Sequence, residues 1–165
     1  MISKKSNQIY TKITDSYKIN IPFNKLSKDI FELLESILKN KIEKKCDKNG
    51  YIKDGSLKLL SYTTGELNGG NISFTLIYQC YVANPVESMI IECKVSSITK
   101  VGIRAILNKS ENDNSPFIVF IARDHHYNNK EFSKLKENDV ISVRVLGKRY
   151  ELYDENISVI GELVT

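Results

Sequence analysis

The chain has no tryptophan, three prolines, three cysteines, two methionines and two histidines among its 165 residues. Each scarcity excludes something. Cys46, Cys80 and Cys93 form an odd, widely spaced set with neither a zinc pair nor a disulfide framework. A reducing, intracellular compartment is the expectation. His125 and His126 are adjacent, so no HExxH pattern or third metal ligand accompanies them. No apolar run approaches the ~20 residues of a membrane span. The opening MISKKSNQIY lacks the apolar stretch of a secretory signal, so no membrane partner is expected. No glycine-rich loop leads into a helix or a Gly-Lys-Ser/Thr step, and the carboxylates show no pairing for acid–base work. The reading is therefore a protein with no catalytic residue, no metal site and no cofactor. Alanine is rare (3) while Ile, Asn and Lys are abundant (21, 15 and 20), a bias toward A/T-rich codons that carries no chemistry.

What is present is an ordinary globular balance, 41% hydrophobic and 27% charged. A chain of this length sustains its own core without staples. The charge is uneven. Residues 1–84 carry 13 Lys+Arg against 8 Asp+Glu, net +5, and residues 85–165 carry 11 against 12, net −1. Phosphate neutralisation dominates nucleic-acid affinity, so the −1 of the second half weighs against strong nucleic-acid binding there.

Residues 1–15 read as a loose polar arm. SYKINIP (16–22) alternates, with Tyr17, Ile19 and Ile21 on one face, and predicts a strand ended by Pro22. Ile30, Leu33, Leu34, Ile37, Leu38 and Ile42 recur at helical spacing, with Ser27 as the expected N-cap and Lys44 and Lys45 in the last turn. Two strand-like runs follow, 51–62 and 72–82, joined by GELNGG (65–70) as a hairpin turn. Asn84-Pro85 marks a boundary. Beyond it come short strands at 89–98, 102–107, 117–122, 140–152 and 156–163, with a polar loop over 111–116 and a loop or short helix over 123–139. Five strands with an insert between the third and fourth are the element order of an OB barrel. The expected class is α+β: a strand-helix-strand-strand tip unit over 16–84, then a five-stranded OB-fold barrel over 85–165.

The residues between 48 and 106 also carry a resemblance. KNGYI (48–52), Phe74 followed by Tyr78, Pro85, Ile90-Ile91, Val95, Ser97 and Gly102 come in gapless order. With VISVRVLG and ISVIGEL near the end, this pattern resembles the stalk subunit of multi-subunit DNA-directed RNA polymerases, the family of the seventh subunit of RNA polymerase II and its archaeal counterpart. Ser88 and Cys93 stand where the family has glycine, and Ile103 where it has an aromatic residue. These departures and the codon bias are similar to a divergent copy from a large DNA virus. That version implies the virion and host cytoplasm, and a cellular version implies the nucleus.

The resemblance implies a non-catalytic subunit that docks on the large polymerase subunits, packs against a helical stalk partner and lies near nascent RNA. The docking edges it implies are the turn of Lys48, Gly50 and Tyr51 and the loop of Gly69 and Gly70. The RNA contacts expected on the barrel are Lys100, Arg104, Arg123, Lys148 and Arg149, with Tyr150 as a stacking platform. The plainer alternatives are turn chemistry for the glycines and solvated charge for the rest. Glu151, Asp154 and Glu155 flank Lys148 and Arg149 and oppose phosphate. Two competing functions stay open: a free-standing OB-fold RNA-binding protein of translation or RNA decay, and a small hydrolase using His125 or His126.

Overall fold

A computed structural model describes residues 9–108 and 115–165. Most of the expected arm, residues 1–8, and residues 111–114 of the expected polar loop lie outside that range. Among the described residues the chain is α+β, with one α-helix and mostly strands.

The first strand, β1 (Tyr10–Pro22), starts six residues earlier than its alternation suggests. The reason is its partner. The 13-residue strand β6 (Asn71–Ala83) pairs with β1 along its whole length, from Tyr10 opposite Ala83 to Pro22 opposite Asn71. Residues 10–15, expected to belong to the arm, are therefore sheet. Tyr10, Thr11, Ile13 and Thr14 are strand formers, and the full ladder with β6 carries them into the sheet.

Helix α1 (Ile30–Ile42) is capped by Asp29, not Ser27. The Asp29 carboxylate accepts from the Glu32 N–H at 3.1 Å, while the Ser27 hydroxyl donates to the Asp29 carbonyl at 3.0 Å. The helix stops at Ile42, so its basic last turn is Lys39 and Lys41. Lys44 turns the chain with φ 61° and reaches Asp54 at 3.2 Å. Leu34, Leu38 and Ile42 are buried against Ile19, Ile21, Leu76 and Val82. Each is worth about 1.5–3 kcal/mol of apolar burial.

The two expected runs after the helix become five strands: β2 (Cys46–Asp47), β3 (Gly50–Ile52), β4 (Lys58–Tyr62), β5 (Glu66–Asn68) and β6. The sheet runs β1-β6-β3-β2, with β4 and β5 also on β6. Within GELNGG only Gly69 and Gly70 form the turn, with φ 55° and 84°, between Asn68 and its partner Asn71. Two consecutive left-handed residues match the right-handed twist of a two-residue hairpin.

The second half is a closed five-stranded barrel. Its strands are β7 (Ile90–Ile98), β8 (Gly102–Leu107), β9 (Phe117–Ala122), β10 (Val140–Arg149) and β11 (Ile157–Leu163), in the order β10-β11-β9-β8-β7. β11 runs parallel to β9 and every other pair is antiparallel. This is an OB-like barrel. Inward residues such as Ile103, Ala105, Val143 and Val145 are at most 1% exposed, and Arg104 and Arg144 face out. The insert between β9 and β10 carries two short 3-10 turns, Arg123–His125 and Phe132–Lys134, and no α-helix. Among the described residues no helix is long and apolar enough to cross a membrane.

Candidate nucleic-acid interface

The structure sorts the eleven expected site residues into three places. The first is the outer face of β8 and β9. Arg104 on β8 stands directly opposite Phe120 on β9, and both are exposed. Phe120 was absent from the sequence expectations, although its outward phase in FIVFIA was available. Its ring leans over Gly102, where an added Cβ would lie 3.0 Å from the Phe120 ring and 2.3 Å from the Ile121 carbonyl oxygen. Ile103, at the position expected to be aromatic, is fully buried. The aromatic surface at this spot therefore comes from the neighbouring strand. Lys100 lies in the exposed turn between β7 and β8.

Arg123 closes this end of the face. Its backbone N–H donates to the Val101 carbonyl at 3.0 Å and its guanidinium Nη2 donates to the Thr99 carbonyl at 3.2 Å. The guanidinium also sits 5.5 Å over the Phe132 ring. Its Nε is buried with no hydrogen-bond partner. Arg123 thus stiffens the turn that carries Lys100. An exposed ring beside a cation is the arrangement on which unpaired bases stack while phosphates pair alongside.

His126 has a different task. Its Nδ1 donates to the Ala122 carbonyl at 2.8 Å and its Nε2 accepts from the Leu163 N–H at 3.0 Å. The same ring stacks on Phe132, centroids 4.9 Å apart. Both ring nitrogens are taken by backbone, so His126 ties the 123–139 segment to the end of β11. His125 is exposed. Among the described residues no group of three His, Cys, Asp or Glu is placed to hold a metal ion. All three cysteines are buried free thiols, and burial, aided by Asp154 and Asp47, pushes Cys46 up to about 12. A thiol held protonated in this way is no nucleophile.

The second place is a joint between the two halves. There, residues expected to touch RNA meet residues expected to touch the polymerase. The Cys46 N–H donates to the Asp154 carbonyl at 2.8 Å, and the Tyr153 N–H donates to the Cys46 carbonyl at 2.7 Å. The Tyr150 hydroxyl donates to the Lys48 carbonyl at 3.3 Å, and the Lys148 ammonium bonds the Asn84 side-chain oxygen. The Tyr17 and Tyr153 hydroxyls are 2.8 Å apart. Tyr51 is 3% exposed and packs, with Cys46 and Ala83, into the barrel's own core. Lys48 pairs with Asp15 at 3.1 Å, and Asn49 donates to the same carboxylate at 2.8 Å. Partial burial raises the Asp15 pKa, but bonds from the Ser16 N–H, Asn49 and Lys48 outweigh it and leave the carboxyl below its ordinary value. Lys48, Tyr51, Lys148 and Tyr150 therefore serve the joint, and Gly50 lies beside them on β3, close against Ala83 of β6. Arg149 remains exposed beside it.

The third place is the far end of the sheet. Gly69 and Gly70 form an exposed tip. The Phe23 N–H donates to the Gly70 carbonyl at 3.1 Å. Phe23 and Leu67 around this tip are 64% and 79% exposed. Large apolar side chains held that open on a hairpin end favour an apolar partner surface.

No protein-family model matches the chain, and no curated protein matches it.

Proposed function

We propose that the chain is a non-catalytic stalk subunit of a DNA-directed RNA polymerase. Its sheet-and-helix unit docks on the large subunits through the Phe23–Leu67–Gly69–Gly70 tip, and its barrel lies near the RNA exit path. One observation carries this reading: a helix-bearing sheet is followed by a closed five-stranded OB-like barrel, and a backbone-bonded joint at Cys46 braces one against the other. A stalk that transmits a docking orientation needs such a brace. The 46–51 turn is spent on it, so docking falls to the apolar tip.

The barrel face of Lys100, Arg104 and Phe120 offers nascent RNA a weak contact without sequence readout, since it presents a ring and charges and no fixed base-edge pocket. The same Phe120–Arg104 pair suits a free-standing RNA-binding protein of the OB type. Affinity capture of the full chain from native extract separates the two readings. The stalk reading expects the large polymerase subunits to be retained, together with any helical stalk partner. Recovery of RNA or translation factors without those subunits would replace it with the free-standing reading.

A further inference from the structure

The back of the N-terminal sheet is a surface that neither the barrel face nor the tip uses. Side chains alternate across a strand. The odd residues of β1 turn toward α1, where Ile19 and Ile21 are buried. The even residues Lys12, Thr14, Ser16, Lys18 and Asn20 are all exposed on the other side. Opposite them on β6 stand Tyr81, Gln79, Ile77, Thr75 and Ser73. β4 adds Lys58 beside Gln79 and Ser61 beside Ile77.

Ile77 is 40% exposed near the middle of this face and Tyr81 39% exposed near one end, while Ser73 toward the other end is buried. Cations sit toward both ends. Lys12 lies opposite Tyr81 and Lys18 opposite Thr75. Lys53 lies 5.1 Å over the neighbouring Tyr10 ring. Lys58 is drawn partly to Glu35, whose pKa it helps to lower. Among the strand residues of this face Glu66, opposite Ser73 at the far end, is the one carboxylate. Other acids of this half are engaged elsewhere: Asp15 with Lys48, Glu35 with Lys39 and Asp54 with Lys44. Among the described residues Lys12 and Lys18 take part in no ion pair.

We propose that this sheet face is a second, sequence-independent site for single-stranded RNA. Tyr81 stacks on a base, Lys12 and Lys18 pair with phosphates, and the hydroxyl and amide row of Thr14, Ser16 and Gln79 hydrogen-bonds the sugar–phosphate chain. Unpaired bases offer a π-face that a base-paired helix hides, so an exposed ring between cations selects the single strand. The net +5 of residues 1–84 supplies the attraction that the −1 of the barrel half lacks. The inference does not rest on the polymerase reading, which native capture decides independently.

Fluorescence anisotropy of a labelled single-stranded oligouridylate, bound by the full chain across a salt series, tests it. Tyr81→Ala weakens binding about tenfold. Tyr81→Leu, which keeps the apolar bulk without the ring, does the same. Lys12→Gln with Lys18→Gln shallows the slope of log affinity against log salt by roughly 1.4. Ultraviolet cross-links map to the peptide containing Tyr81, and they persist in Phe120→Ala with Arg104→Gln. Melting temperatures measured alongside keep folding separate from binding. Unchanged affinity in folded Tyr81→Leu with an unchanged slope in the lysine variant overturns the proposal. So does retention by an acidic protein with no measurable RNA binding, or cross-linking confined to the barrel.

Discussion

Gly50 combines a left-handed backbone with a close backbone neighbour, and both limit the sequence there. Its φ is +130°, and a Cβ there would lie 2.5 Å from the Ala83 carbonyl oxygen and 3.0 Å from the Asn84 Cβ. Gly50→Ala therefore incurs two costs. Holding a non-glycine residue in that conformation costs about 1–3 kcal/mol. Pushing β3 off β6 adds about 1–3 kcal/mol of overpacking and endangers the short ladder of Tyr51 with Ala83 and Ile52 with Val82. A total near 3 kcal/mol lowers the melting temperature by about 6–12 °C for a chain of this size. Gly69→Ala is the control. Gly69 has φ +55° but nothing within 4 Å of an added Cβ, so only a backbone cost of about 1 kcal/mol applies. Urea and thermal unfolding of both variants give the comparison. If Gly50→Ala falls within about 0.5 kcal/mol of Gly69→Ala, the close approach of β3 to β6 is not the constraint.

Two further outcomes follow from the same geometry. His126→Ala removes two backbone hydrogen bonds and a ring stack, and should cost about 2–4 kcal/mol in urea unfolding, while exposed His125→Ala stays within about 0.5 kcal/mol. Similar effects from the two would remove the anchoring role of His126. Asp15 has a folded pKa below its unfolded one, so its stabilisation is present above the ordinary aspartate range and is lost as pH falls through the folded value. Asp15→Asn should therefore flatten the acid limb of the stability–pH curve, and an unchanged limb would show that the Lys48–Asn49 clamp contributes nothing.

The barrel was legible because its strands are short, alternate cleanly and are punctuated by turn residues. The phase of Arg104 and Arg144 followed directly. The helix was legible from its apolar stripe, but its cap was not. Ser27 and Asp29 are both good caps, and only the aim of the Asp29 carboxylate at the Glu32 N–H decides between them. The first six residues of β1, YTKITD, were missed although four of them are strand formers, because what holds them is the distant partner β6. The joint was illegible for a stronger reason. Cys46 and Tyr153 are far apart in sequence, and a backbone pairing between them leaves no trace in residue type. That is why sequence reasoning offered Tyr150, Lys148 and Lys48 as surface contacts without the joint bonds that the structure gives them. Phe120 was readable in phase, but its significance depended on Gly102 lying beneath its ring.

The central claim is that the apolar tip docks this chain on a polymerase. Lysine cross-linking with mass spectrometry, applied to the assembly captured from native extract, tests it most directly, because exposed Lys25 sits two residues from Phe23 at the tip. Lys25 is expected to be joined to a large polymerase subunit. Cross-links from Lys25 to none of the polymerase subunits, while barrel lysines join them freely, would contradict the claim.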